Sequence, residues 1–325
     1  MVATAVVHGY EVETQPITVA LVNNMPDPAF ADTEEQFRGV LSSGPGGGAG
    51  IALDLYTITE IPRSEKTAAV IRSRYRGLDE LWHHPPDALI VTGTEPVAAQ
   101  LRDEPYWPYM EDLLEWASTT VPTVLLSCLA AHAGFLAFDG IERIQRARKC
   151  SGVFHGSVNL CGDPLAEGLP ESVCVPHSRV NEIPDAAALD AGYRIIIGSG
   201  PSSAGWAVAA REYGESLFVL CQGHPEYSRL SLLREYRRDV RRYVFGGGAA
   251  EYPRLPEGYL SDDAVAVFEA FARRATRPAT DPRALWEQFP YDEVADGVQN
   301  TWAGSSAMLY ANWVRTARRA AAVYA

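Results

Sequence analysis

The chain has 325 residues, of which 47% are hydrophobic and 21% charged, and a formal net charge of −13. These proportions are those of an ordinary globular protein with one large core or two unequal ones, and the acidic excess excludes a general binder of nucleic acid or of an anionic membrane surface. No apolar run reaches the roughly 18 residues of a membrane span, and Met1 to His8 lacks the basic start and long apolar core of a secretory leader, so the cytoplasm is the expected location.

Ile17 to Val22 reads as the first strand and runs into the polar loop Asn23 to Pro28. Asp32-Thr-Glu-Glu-Gln-Phe37 predicts a helix start, with Asp32 as N-cap and Glu35 as its capping-box partner. Gly44 to Gly50 has neither the lysine nor the residue order of a phosphate loop and reads as a connection. Ile51 to Ile58 reads as a strand, and Thr67 to Trp82 as one helix stopped by His83-His84-Pro85-Pro86. Adjacent histidines point in different directions on most backbones, which favours a loop over a metal site. Asp87 to Val91 is the next strand, entering Thr92-Gly-Thr-Glu-Pro96, and a Gly-containing loop at a strand end is where an α/β sheet meets its ligand. With an amphipathic helix over Tyr106 to Ala117, the alternation predicts a doubly wound, mostly parallel α/β sheet.

The chain is organised around Pro122-Thr-Val-Leu-Leu-Ser-Cys-Leu-Ala-Ala-His-Ala-Gly134. An apolar strand ends at Cys128 and helix formers follow, so Cys128 is predicted on a strand-to-helix turn. Such a turn exposes one side chain, presents the next N–H groups to an oxyanion, and sets the sulfur at a helix N-terminus that suits an anion. Taken alone, the pattern fits a buried structural cysteine as well as a nucleophile. About a hundred residues on, the strand Phe218 to Cys221 delivers His224-Pro-Glu226, a base and an orienting carboxylate on one short turn.

Between these stretches lie a basic cluster at Arg143 to Lys149, a strand at Val173 to Arg179 entering a polar turn that His177 helps to shape, a strand at Arg194 to Ile197, and a closing hairpin of Ala207 to Arg211 with Leu217 to Cys221. An arginine-rich helix follows Tyr227, and its charged face has the bland reading of a solvated surface. Helices near Asp262 to Arg274 and Ser305 to Ala320 complete the chain. The expected division is a catalytic domain over 1–245 and a helical extension over 246–325 packed on it. Five scattered cysteines (Cys128, Cys150, Cys161, Cys174, Cys221) contain no C-x-x-C pair, and His132, His155 and His177 share no ligand spacing, so neither a disulfide framework nor a metal site is expected. His132 is expected to pack on the helix after the nucleophile.

With Cys128, Gly223-His-Pro-Glu-Tyr227 and Lys149-Cys-Ser-Gly-Val153 in view, the chain resembles the homoserine O-succinyltransferase/O-acetyltransferase family, whose fold is like that of class I glutamine amidotransferases. The resemblance extends from Asn24-Met-Pro26 and Thr33 to Phe37, through Val91-Thr-Gly93, Tyr106-Trp-Pro108 and Pro176-His-Ser-Arg179, to Arg238-Asp-Val240 and Asn312-Trp313. It implies an acyl-CoA co-substrate with no permanently bound cofactor, and transfer of an acetyl or succinyl group to the homoserine hydroxyl. It also implies ping-pong chemistry in methionine or related amino-acid biosynthesis, and a homodimer. By the same resemblance Cys128 is the acyl-thioester nucleophile, His224 the general base and acid, and Glu226 its orienting carboxylate. Lys149, Ser178 and Arg238 match the amino-acid contacts, and the Leu129 N–H is the oxyanion donor.

Two departures bear on the acyl group. The position that is Glu in many acetyl users and Gly in succinyl users is Val97 here, and Glu95 in the same loop would repel a succinyl carboxylate if it faced the pocket. Pro96 removes an N–H that a second oxyanion donor would need. The resemblance leaves open L-serine or another hydroxy-amino acid as acceptor, and it leaves open a glutaminase-type hydrolase or a non-catalytic metabolite-binding protein on the same scaffold. Against the hydrolase, Ser127 precedes Cys128 where those enzymes usually have glycine.

Overall fold

A computed structural model describes residues 16–44, 48–159, 162–200, 204–246, 251–277 and 281–324. The opening stretch 1–8, residues 45–47 of the glycine-rich connection and Cys161 lie outside them. The strands are β1 (Ile17–Val22), β2 (Ile51–Tyr56), β3 (Ala88–Thr92), β4 (Thr123–Ser127), β5 (Ile144–Val158), β6 (Ser172–Glu182), β7 (Arg194–Ser199), β8 (Val208–Tyr213) and β9 (Ser216–Cys221). They form one sheet in the order β2-β1-β3-β4-β9-β8-β7-β5-β6. The block from β2 to β9 is parallel, and the remaining strands continue it with antiparallel pairings.

Every residue of β3 and β4 is buried, as a strand covered on both faces requires. Their side chains alternate between two cores. Val124 and Leu126 pack with the helices Trp107–Thr120 and Leu129–Asp139, whereas Leu125 joins Ile90, Leu21 and the helix Asp27–Ser43 on the opposite face. Helices on both faces of a sheet with a parallel centre make the fold a doubly wound α/β sheet with added C-terminal helices.

Three local expectations are corrected. The first helix begins at Asp27, with Pro28 in its first turn, where the fixed φ of proline suits a helix start. Asp32 therefore lies inside the helix and pairs with Arg234 at 3.3 Å. The segment read as one helix over Thr67 to Trp82 is two, Glu65–Arg74 and Leu78–His83, because Arg76 leaves the helix to bridge Tyr56 beside β2. No turn follows His177, since β6 runs on to Glu182 with Gly152 opposite His177 and Ser151 opposite Ser178.

The C-terminal helix Ala303–Tyr324 packs against Asp27–Ser43. Its Trp313 indole donates to Thr123 Oγ1 at 2.9 Å, which ties it to the start of β4. The Asn312 amide donates to the carbonyls of Leu165 and Glu167 at 3.0 and 2.7 Å. The helices Ser231–Phe245, Asp262–Ala275, Pro282–Trp286 and Tyr291–Ala295 contribute to a third core around Phe268, Phe271 and Trp302. Among the described residues no helix is long and apolar enough to cross a membrane.

Candidate active site

β4 and β9 are parallel neighbours with Ser127 opposite Cys221, so both strands end at the same level. The Cys128 N–H extends the ladder by donating to the Cys221 carbonyl at 2.7 Å. Cys128 then takes φ 53° and ψ −109°, and it is the one non-glycine residue with positive φ among the described residues. That backbone is strained for an L-residue and turns the chain sharply into the helix Leu129–Asp139. The opposite side of the turn is Gly93, where an added Cβ would lie 2.3 Å from Leu129 Cβ and 3.1 Å from its nitrogen. Only glycine lets the β3 loop approach the Leu129 amide this closely.

His224 follows β9 by three residues and is anchored by its N–H donating to the Pro176 carbonyl at 2.8 Å. The approach to β6 again needs a glycine, since a Cβ on Gly223 would meet Val175 Cγ1 at 2.7 Å. His224 Nδ1 lies 2.8 Å from Glu226 Oε1, which also accepts from Ser127 Oγ at 2.9 Å. With Nδ1–H held by the carboxylate, Nε2 is the nitrogen left for chemistry. It is buried and completes no other hydrogen bond among the described residues. Burial disfavours a charge on the ring, yet the charges of Cys128 and Glu226 outweigh burial and hold its pKa well above the ordinary value. The ring stacks on Tyr227 with centroids 4.1 Å apart.

These groups open into a cleft of about 450 Å³ that is also lined by the helix Ser231–Phe245. Glu235, Arg238, Asp239 and Arg242 line it at helical spacing on one face. Lys149 Nζ lies 2.6 Å from Asp239 Oδ2 and 3.8 Å from Glu235 Oε2. Ser178 Oγ donates to Glu235 Oε2, while the Tyr227 hydroxyl donates to Glu235 Oε1 at 2.6 Å. Arg238 Nε contacts Asp239 Oδ1 at 3.3 Å. Lys149, Ser178 and Arg238 thus meet in one network.

The structure gathers Cys128, Leu129, His224, Glu226, Lys149, Ser178, Arg238 and Glu95 around this cleft. Val97 is not in its lining; the residue is 86% exposed, and its N–H donates to Glu104 Oε1 at 2.7 Å. Glu95 pairs with Arg242 at 2.9 Å. His132 is buried with Nε2 3.2 Å from Gln222 Oε1. That oxygen also accepts from the Ile183 N–H, so His132 donates through Nε2. Burial lowers its pKa to about 3. His177 accepts from the buried Arg179, and burial and the Arg179 charge hold its pKa well below the ordinary value. Ser127 and Glu235 are site residues that motif reading misses, and Asp239 enters it only as part of the matched Arg238-Asp-Val240, although the spacing 235, 238, 239, 242 is a usable signal. Among the described residues no cluster of His, Cys, Asp and Glu could hold a metal, and Cys128, Cys150, Cys174 and Cys221 are free thiols.

The sequence profile of homoserine O-succinyltransferase matches residues 5–322. The chain is 40% identical over 299 residues to a homoserine O-succinyltransferase of Bradyrhizobium japonicum, covering 92% of this chain and 89% of that protein. It is 39% identical over 298 residues to one of Rhodopseudomonas palustris, covering 92% and 87%. Among solved structures it is similar to a glutamine amido transferase from Methylobacillus Flagellatus, with 15% identity, a TM-score of 0.48, and coverage of 93% of this chain and 95% of that one. The chain belongs to the homoserine O-succinyltransferase family.

Proposed function

We propose that the protein transfers a succinyl group from succinyl-CoA to the hydroxyl of L-homoserine through a thioester on Cys128, by a ping-pong mechanism, as a cytoplasmic step of methionine biosynthesis. The observation that carries the reading is the strained Cys128 turn beside an imidazole whose Nδ1 is held by Glu226. The homoserine O-succinyltransferase relatives support succinyl as the group and homoserine as its acceptor.

In the first half-reaction Cys128 Sγ attacks the thioester carbonyl carbon, and the oxyanion forms at the Leu129 N–H. Collapse breaks the bond from that carbon to the CoA sulfur, and His224 Nε2 supplies a proton to the departing thiolate. Acylation makes Cys128 neutral, which removes one of the charges that hold the proton on His224. The imidazole becomes a better-matched base for the second half-reaction. It takes the homoserine hydroxyl proton as the oxygen attacks the acyl carbon, and the Cys128 sulfur leaves. Glu226 keeps Nδ1 protonated throughout. Arg238 and Lys149 would hold the homoserine carboxylate and Glu235 its ammonium, so the amino acid exchanges with the ion pairs that link them in the free protein.

Initial rates of CoA release with both substrates varied test the order of events. Parallel double-reciprocal lines and dependence on homoserine are expected. Intersecting lines, or release unaffected by Cys128→Ala, would contradict the thioester.

A further inference from the structure

Of the arginines in the cleft lining that the proposed chemistry does not use, Arg143 stands apart. Arg143 follows the nucleophile helix, just past the left-handed Gly140 that ends it, and lines the cleft with Cys128, Leu129 and the Thr94 to Pro96 loop. The other basic side chains of the lining are engaged. Lys149 and Arg238 share Asp239, Arg242 holds Glu95, and Arg179 donates to His177 and to the Ala204 carbonyl. Arg143 makes no hydrogen bond or ion pair among the described residues, and it is partly desolvated. Of the two carboxylates near Arg143, Glu142 is exposed and Glu104 directs Oε1 to the loop amides of Val97 and Ala98 at 2.7 Å each. The buried Tyr106 hydroxyl, close enough to feel the Arg143 charge, also lacks a partner.

A guanidinium drawn out of water without a counterion is costly unless a ligand completes it. Its planar fork matches a carboxylate bidentately. We propose that Arg143 is the specificity determinant for the acyl donor and receives the distal carboxylate of the succinyl group while the thioester forms on Cys128. Arg143 and Arg238 then each receive one of the two substrate carboxylates within one cleft. The repulsion expected from Glu95 is reduced by its pairing with Arg242 at 2.9 Å.

This inference rests on the succinyl-transfer reading, and the test separates the two. kcat/KM is measured for succinyl-CoA and for butyryl-CoA, which has the same carbon chain without the carboxylate, in the wild type, Arg143→Met and Arg143→Lys. Arg143→Met is expected to lower the succinyl-to-butyryl ratio on the order of 100-fold, the range for losing a charged hydrogen-bonded contact. Arg143→Lys should restore part of it, because the charge remains without the fork. A variant that folds poorly lowers both donors together, and the ratio taken per active site, titrated by Cys128 alkylation, still decides. An unchanged ratio in both variants, with wild type that uses succinyl-CoA, overturns the role of Arg143 alone. Failure of the wild type to use succinyl-CoA overturns the succinyl-transfer reading and this inference with it.

Discussion

The wall of the cleft that carries Cys128, His224 and Glu226 is fixed by backbone at two neighbouring strand ends and holds a buried imidazole–carboxylate pair, whereas the wall that carries Lys149, Ser178 and Arg238 is held by ion pairs open to solvent. His224 and Glu226 are each 5% exposed, while the side chains of Lys149 and Arg238 are 31% and 39% exposed. On the first wall two adjacent parallel strands fix the geometry, and one strained residue and two tight glycine contacts sharpen it. On the second, a helix face presents charges that neutralise one another, and in the proposed mechanism an amino acid with both charges would replace them. Groups that must be aimed within a fraction of an ångström are set by backbone, and groups that must exchange partners are set by electrostatics.

The largest expected effect breaks the first wall. Cys128→Ala should reduce transfer by ~10⁴-fold or more while the protein stays folded, as read by thermal unfolding. Cys128→Gly should be the more stable of the two by about 1 kcal/mol, because glycine accepts the positive φ without strain. Equal stability would remove strain from the description of the turn. Next, Glu226→Gln should lower turnover by about 10²- to 10⁴-fold, since an amide permits the wrong imidazole tautomer. The His224 titration, followed by NMR, should also move down. A His224 pKa unmoved by that change would mean the carboxylate does not tune the base.

Arg238→Met tests the second wall. kcat/KM for homoserine should fall by about 10- to 100-fold, with the rate of CoA release in a homoserine-free burst nearly unchanged. Equal losses in both half-reactions would erase the proposed division of labour. The smallest effect concerns stability. Folded His132 remains neutral down to about pH 3, while the unfolded chain takes up its proton near the ordinary 6.5. The stabilisation is therefore complete above pH 6.5 and is lost as pH falls from there toward 3. His132→Gln should lose about 1–2 kcal/mol less than the wild type between pH 7.5 and 5 in urea titrations. His177 keeps some acid sensitivity in the variant, so the slope should shrink without vanishing.

Much of the first wall was legible because it is local. An apolar run ending at Cys128 and another ending before His224 specify two strand ends, and His-Pro-Glu is a three-residue unit. Register supplied what the sequence withheld, since only the pairing of Ser127 with Cys221 makes the two ends neighbours. The second wall was less legible. Arg238 is identified by resemblance with Asp239 beside it in the same matched motif, while nothing in the sequence singles out Glu235 on that charged helix. Arg143 looked like the edge of a basic cluster; its orientation depends on the Gly140 reversal and on the antiparallel strands that follow. The start of the first helix was misplaced because a capping-box pattern at Asp32 to Glu35 competed with Pro28, and the proline sets the backbone earlier.

Intact-protein mass measurement after brief exposure to succinyl-CoA, followed by a homoserine chase, tests the central proposal most directly. The expected result is a single succinyl adduct that maps to Cys128, is absent from Cys128→Ala, and is discharged by homoserine with formation of the ester. Protein that converts homoserine without ever carrying the adduct, or that carries it on another residue, would contradict the thioester mechanism.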